Sequence, residues 1–344
     1  MRRPSSSGPA EDLIVRVLVS GATGFLGSSL CRALVRQGHT VRALHRATSP
    51  LGALHDLPLE RVVGDVMDPA CLDRAMDGIE VVFHTAAQMG RWGNPEQATA
   101  SHVLGTRHVL QAARRAGVSR VIHTSSVAAL GVPDPARDEA GAVLMDEHHV
   151  WNYAASRWPY GHAKHLAEQE VARAVAAGMW AVIVNPAWVV GPGDVHRVRS
   201  SLVWHAARGK IPVSVTGGLN VVHIDDVTAG HLAALARGRC GERYILGGEN
   251  LNLSTVLRIA AEAAGRRPPR WKLPAGMVRR AAAAVGPLLR ALSLPVGNEI
   301  LQLAGRYFYY DTRKARDELG IGVPRPFRQA VDDALAWYRK AGLL

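Results

Sequence analysis

Val15-Arg16-Val17-Leu18-Val19-Ser20-Gly21-Ala22-Thr23-Gly24-Phe25-Leu26-Gly27 decides the fold. An apolar run ends in a glycine-rich turn, and the turn opens a helical pattern through Leu30, Leu34 and Val35. That order is strand, tight loop, helix. Gly21 permits a backbone turn that a Cβ would block, Gly24 lets the backbone approach a pyrophosphate, and Gly27 lets helix and strand pack closely. Phosphates would then lie at the helix N-terminus, where free N–H groups and the helix dipole favour negative charge. A glycine pattern alone says little. One that follows a strand and precedes a helix points to a dinucleotide site.

The pattern repeats downstream. Thr40–His45, Arg61–Gly64, Val81–His84, Arg120–Thr124 and Ala181–Val184 read as strands, and Pro95–Ala116 and Tyr160–Ala177 as helices. Strands alternating with helices at these lengths predict an α/β, Rossmann-type, doubly wound parallel sheet. Residues 13–190 are the expected dinucleotide-binding domain, with returns at about 220–247. Residues 191–219 and 248–344, broken by Pro268-Pro269, Pro274, Pro295 and Pro324, form a smaller, mostly helical substrate lobe. Val195–Arg208 is predicted as a helix of this lobe, and Val221–Ile224 and Tyr244–Gly248 as strands of the returning segment. Asp225-Asp226 reads as the start of a helix rather than a pair of catalytic acids.

Composition bounds the rest. The 344 residues exceed what one core usually fills, and 48% are apolar. The net charge of +12 invites a nucleic-acid reading. The arginines are scattered along the sequence, however, and no nucleic-acid signature accompanies them. Cys31, Cys71 and Cys240 offer neither a disulfide framework nor metal spacing, which fits a reducing, cytoplasmic setting. No metal site is expected, and His148-His149 reads as a solvated loop. Residues 1–12 carry basic groups without an apolar core and read as a disordered tail rather than a secretory signal. No run reaches the ~18 apolar residues of a membrane span; Ala281–Leu294 reads as a buried or interfacial helix.

In open α/β sheets ligands bind beyond the carboxyl ends of the strands. The glycine loop, His84-Thr85-Ala86-Ala87, Thr124-Ser125-Ser126 and Asn185-Pro186-Ala187 all end there. The next helix brings Tyr160 and Lys164, which at i and i+4 share one face. An ammonium beside a phenol favours the phenolate, so such a tyrosine exchanges a proton with a carbonyl or alcohol near neutral pH. A neighbouring serine hydroxyl can bond the same oxygen as charge develops.

On these pieces the chain resembles the extended short-chain dehydrogenase/reductase family. The matches are G-A-T-G-F-L-G at Gly21–Gly27, G-D-V at Gly64–Val66, H-T-A-A at His84–Ala87, T-S-S at Thr124–Ser126, Y-G-H-A-K at Tyr160–Lys164 and N-P-A-W-V-V-G-P-G-D at Asn185–Asp194. They run over nearly the whole chain after the tail. The resemblance implies an NAD(P)-dependent enzyme in which Tyr160 is the acid/base and Lys164 tunes it and holds the nicotinamide ribose. Ser126, in preference to Ser125, orients the substrate oxygen. Asp65 and Val66 meet the adenine, Ala86 and Ala87 lie near the cofactor ribose, and Pro186 and Val189 flank the nicotinamide. Gly21, Thr23, Gly24, Phe25, Leu26, Gly27 and Thr124 complete the expected cofactor site, with Tyr160 and Lys164. The family often has asparagine where this chain has His102, which puts a water relay through that position in doubt.

The second strand bears on cofactor choice. NAD enzymes of this fold place an acid about 20 residues beyond the glycines. Here His45 and Arg46 follow instead, and guanidinium suits a 2′-phosphate, so NADP is favoured over NAD. Val82–Gly93 and Asn220–Val227 look like the 3β-hydroxysteroid dehydrogenase and dihydroflavonol reductase branch. Gly241–Leu251 is similar to bacterial hopanoid-associated sugar epimerases. Val127-Ala128-Ala129 supplies no acid for dehydration, and no arginine precedes Val221 to meet a nucleotide-sugar pyrophosphate. The leading expectation is an oxidoreductase for a carbonyl or secondary alcohol on a hydrophobic molecule. A sugar-nucleotide epimerase and a non-catalytic NADP sensor are the alternatives. Met89, Trp92, Trp151, Tyr153, Trp158 and Trp188 are expected to line the substrate cleft, although Trp92, Trp151 and Trp158 read equally well as loop anchors. Arg197 and Arg199 would serve the epimerase reading. The expected partner is a small molecule, not nucleic acid, and a homodimer is compatible with the pattern.

Overall fold

The computed structural model describes residues 14–86, 95–134, 139–194, 201–281 and 303–344. The tail at 1–12, Ala87, Met89, Trp92, Arg197, Arg199 and most of the apolar stretch at 281–294 lie outside the described residues. In chain order the first part runs β1 (Arg16–Ser20), α1 (Phe25–Arg36), β2 (Thr40–His45), β3 (Glu60–Val63), α2 (Pro69–Ala75), β4 (Val81–His84), α3 (Pro95–Arg115), β5 (Arg120–Thr124), α4 (Pro159–Ala176) and β6 (Ala181–Pro186). There follow β7 (Trp188–Val190), α5 (Leu202–Ala207), β8 (Val213–Val215), β9 (Gly218–His223), α6 (Ile224–Arg237) and β10 (Arg243–Leu246). The chain continues with β11 (Glu249–Asn252), α7 (Leu253–Ala263), β12 (Trp271–Leu273), β13 (Tyr307–Phe308), α8 (Arg313–Leu319) and α9 (Phe327–Lys340).

Seven strands form one parallel sheet in the order β10-β6-β5-β4-β1-β2-β3. The order reverses at β1, which lies between β4 and β2, so the crevice of this α/β sheet opens beyond β1 and β4. Strand side chains alternate between faces. Val17 and Val19 of β1, Phe83 of β4 and Val182 of β6 pack with Leu30 and Leu34 of α1 and Val227 of α6. Leu18, Val82 and Ile183 turn to the other face, against Leu72 of α2, Val109 of α3 and Val171 of α4. Burial on both faces explains why these strands are unbroken apolar runs.

The smaller lobe carries, besides its helices, two small sheets that the pattern did not foresee. β9 is central in one, antiparallel to β11 and parallel to β13 and β7; β12 pairs parallel with β8 in the other. So of the segment near 220–247, β10 returns to the large sheet, whereas β9 belongs to the second. The lobe has its own core, in which Val221, Val256, Leu257, Phe327 and Leu335 are buried. In place of the helix expected at 195–208, the structure shows a short one at Leu202–Ala207, capped by extended Ser201; residues 195–200 lie outside the described residues. α6 starts at Ile224, with the His223 side chain accepting the Asp225 N–H and both aspartates in the first turn. The cysteines are free thiols, and no helix among the described residues is long and apolar enough to cross a membrane.

The glycine turn is packed to its limit. A Cβ on Gly27 would lie 2.2 Å from the Gly21 oxygen, a contact that no rotamer relieves. Gly52 has ordinary φ and nothing within 4 Å of its Cβ position. We expect Gly27→Ala to lower stability by ~1–3 kcal/mol, as overpacked sites do, and Gly52→Ala to stay within ~1 kcal/mol of wild type or rise slightly. Urea denaturation of both variants measures the difference, and equal midpoints would refute the crowding at Gly27.

Candidate active site

The glycine turn and the end of β4 touch through backbone. Gly21 has φ +70°, and a Cβ there would sit 2.7 Å from Ala86 Cα. The Ser20 hydroxyl lies 2.7 Å from His84 Nδ1 and accepts the Ala86 N–H at 3.3 Å. The other His84 nitrogen pairs with the Thr106 hydroxyl of α3 at 3.1 Å. α1 begins with Gly24 as N-cap, without a side-chain cap and without an acid in its first turn. Its first turn therefore carries neither a capping side chain nor an acid of its own, the setting in which a helix N-terminus can take an anion. Thr23 is buried, while Phe25 and Leu26 are half-buried at this end of the helix. Arg46 is exposed one residue beyond β2 and has no ion pair among the described residues.

The loop after β3 holds Asp65, whose carboxylate accepts the Met67 N–H at 2.9 Å. Val66 is half-buried, and its carbonyl lies 3.2 Å from the His108 ring of α3. Pro186 ends β6 in the core, and half-buried Val189 pairs with Val222 between β7 and β9.

The end of β5 carries the hydroxyls. Thr124 bonds the His231 ring at 2.9 Å. Ser125 is 4% exposed, and its hydroxyl has no partner among the described residues. Ser126 is half-buried; its hydroxyl accepts the Ala128 N–H at 3.2 Å and caps the 3-10 turn Val127–Leu130. Ser126 is the more exposed of the pair.

α4 lies over these strand ends. Trp158 caps it from outside, with Pro159 at its first turn. Trp158 packs on Trp151 at 6.2 Å and edge-on to Phe308 at 5.8 Å, while Trp151 stacks on His165. These two tryptophans anchor the α4 N-terminus against the lobe. Half-buried Trp188 packs on Phe327 against the lobe core. Half-buried Tyr160 stands edge-on to His102 of α3 at 5.8 Å. Lys164 is 3% exposed and donates to the Thr124 carbonyl at 3.1 Å. Burial pushes its ammonium down to about 8, against the partial support of the Glu168 carboxylate.

Sequence reasoning missed what lies beneath. Asn185 donates to the Ser126 carbonyl at 3.0 Å and to Glu168 at 2.6 Å, and Glu168 in turn pairs with Arg243. His123 is buried within 5.3 Å of the His84 ring. Burial, and after it the neighbouring charges, hold His123 well below its usual range and His84 at about 3. The available signal was polar residues ending buried strands. Arg306 was also missed: it lies over the Tyr153 ring at 5.6 Å and donates to the Pro133 carbonyl. No group of three or more metal-ligating side chains occurs among the described residues.

Comparison with known proteins agrees with this geometry. Residues 17–247 match the NAD dependent epimerase/dehydratase family. A Synechocystis sp. protein provisionally named dihydroflavonol 4-reductase is 36% identical over 334 residues, covering 94% of each chain. A 3 beta-hydroxysteroid dehydrogenase/Delta 5-->4-isomerase of Mycobacterium tuberculosis is 29% identical, over 94% of this chain and 90% of that one. The crystal structure of gox2253 superposes with a TM-score of 0.82 at 39% identity, covering 95% of this chain and 99% of its own. The chain therefore belongs to the NAD dependent epimerase/dehydratase family and is an NAD(P)-dependent enzyme of the extended short-chain dehydrogenase/reductase type, acting on carbonyl or alcohol groups.

Proposed function

We propose that the protein interconverts a carbonyl and a secondary alcohol on a hydrophobic small molecule, with NADP(H) as the hydride partner. The observation that carries this reading is the set at the β5–α4 junction: half-buried Ser126 and Tyr160, with Lys164 one helical turn on and anchored to the Thr124 carbonyl. The names of the reductase and steroid dehydrogenase relatives support the substrate class.

The residues present fit the cofactor. The uncapped, acid-free N-terminus of α1 suits a pyrophosphate, and the crowded contact of Gly21 with Ala86 leaves backbone rather than side chain at the crevice. Thr23, Phe25 and Leu26 would border the phosphates, Asp65 and Val66 the adenine, Ala86 and Thr124 the middle of the cofactor, and Pro186 and Val189 its nicotinamide end. Ala87, outside the described residues, would join Ala86. When bound, the nicotinamide supplies or accepts the hydride that no side chain can carry. Tyr160 gives a proton to the substrate oxygen or takes one from it. Ser126 bonds the same oxygen as charge develops. Lys164 uses one N–H on Thr124 and keeps two more donors for a ribose hydroxyl, while its charge favours the Tyr160 phenolate.

Trp158, beside the catalytic helix, and Tyr153 supply aromatic surface near this end of α4. The nearby cation Arg306 is engaged by Pro133 and Tyr153, which weighs against a diphosphate substrate. A diphosphate needs several free cations or N–H groups to replace its water.

NADPH oxidation against a panel of hydrophobic ketones, steroids and flavonoids, with UDP-sugars as controls, tests the reading. We expect turnover of hydrophobic carbonyls and none of UDP-sugars. Tyr160→Phe should reduce that turnover at least ~100-fold with cofactor affinity unchanged. Micromolar UDP-sugar binding without activity on any hydrophobic carbonyl would favour the epimerase.

Cofactor choice has its own test. Arg46→Ala should weaken NADPH about 10- to 150-fold, the worth of one charge-assisted hydrogen bond, and leave NADH nearly unchanged. Equal weakening of both cofactors in a titration overturns the phosphate role.

Lys164 makes a prediction in pH. Its ordinary pKa is 10.5 and its folded value is about 8, so between these values the unfolded chain binds the extra proton. Stability must then rise with pH across that window, because deprotonation relieves the buried charge. Relative to Lys164→Met, the wild type should therefore gain stability from pH 8 to 10.5. Chemical denaturation at several pH values measures this, and a pH-independent difference contradicts a buried lysine that resists charging.

A further inference from the structure

The segment 266–280 reads Arg-Arg-Pro-Pro-Arg-Trp-Lys-Leu-Pro-Ala-Gly-Met-Val-Arg-Arg, and no acid occurs anywhere from residue 263 to 298. Arg266, Arg267, Arg270, Lys272, Arg279 and Arg280 are all exposed. None of them forms an ion pair among the described residues; Arg279 donates to the Ala304 carbonyl. Elsewhere on the surface several arginines are paired, Arg32 with Asp56, Arg115 with Asp73 and Arg239 with Glu318. Those without an ion pair among the described residues, such as Arg36, Arg46 and Arg74, are not gathered in one acid-free stretch of this length. Within this basic segment Trp271 is 70% exposed and Met277 61% exposed. Trp271 lies on β12, which among the described residues pairs with β8 alone, at an outer edge of the smaller lobe.

We infer that this edge of the lobe docks on an anionic phospholipid surface. Unpaired cations meet lipid phosphates, each contributing about a fivefold gain in partitioning near an anionic bilayer. Tryptophan is the side chain that favours the headgroup level, and an exposed thioether enters the acyl boundary. Charge complementarity selects the lipid, and the apolar side chains favour a bilayer over nucleic acid, which would leave Met277 without a partner. The inference stands apart from the catalytic reading, since no residue in it belongs to the proposed active site.

Flotation of the full chain with vesicles tests it. Binding is expected to phosphatidylcholine vesicles holding about one-third phosphatidylglycerol, with strong loss at ~0.5 M salt and no binding to phosphatidylcholine alone. The variant R266Q/R267Q/R270Q/K272Q should lose at least about tenfold in partitioning, and Trp271→Ala a few-fold. R36Q/R114Q/R339Q/K340Q, which removes the same charge elsewhere, should stay within about twofold of wild type. Thermal melts check folding; if the quadruple variant does not fold, R270Q/K272Q and Trp271→Ala decide. Absence of flotation with anionic vesicles overturns the inference. So does equal loss in the control variant, or duplex DNA binding that depends on the same residues while vesicles do not bind.

Discussion

Backbone packed on backbone at the β1–β4 crevice is the constraint on which the rest of the molecule depends. Gly21 and Ala86 leave no room for a side chain between them, and Gly27 presses the first turn of α1 onto the Gly21 carbonyl. Ser20 fixes the contact by joining the His84 ring and the Ala86 N–H across strands that pair Ser20 with His84. Once β4 is held there, parallel pairing carries β5 and β6 beside it, and α4 comes to rest over their ends. One local close approach thus sets both the α1 end of the crevice and the position of Tyr160.

How much of this was legible follows from burial. β2, β4 and β5 run over the residues that the sequence pattern predicts, because strands covered on both faces must be short apolar runs. β7, β8, β12 and β13 have two or three residues each and carry no periodicity to detect. β9 was recognisable as a strand but not its sheet, since pairing with β11 and β13 depends on segments far along the chain. The same holds at the site. Tyr160 and Lys164 lie on one helix and are read from spacing. The Thr124–His231 and Asn185–Glu168 contacts join residues 107 and 17 positions apart in different elements, and nothing in either residue alone announces its partner.

The buried polar layer has a clear electrostatic division of labour. Desolvation favours neutral histidine, so His84, His123 and His231 sit beneath the site without adding positive charge. Lys164 is a buried cation, and Glu168 opposes the cost of its burial. Glu168 is itself fixed by Asn185 and Arg243, and Asn185 also holds the Ser126 carbonyl. The ammonium, the carboxylate and the backbone of the serine loop are therefore one connected unit. Loss of Asn185 would leave a buried carboxylate short of a donor and free the loop that presents Ser126, two effects with one origin.

The surface charge has the opposite character. Read along the sequence, the arginines are scattered, which argues against a polyanion partner. Pairing changes that view. Arg42, Arg107, Arg258 and Arg328 each meet an acid, so much of the chain is locally neutral despite the net charge of +12. Six cations without an ion pair among the described residues fall in one acid-free stretch, on the lobe edge around Trp271. Like charges held together repel one another and oppose the compact state. Among the described residues no acid pairs with them, so counter-charge from outside the chain would offset this repulsion. A partner whose phosphates approach this edge removes that repulsion on contact.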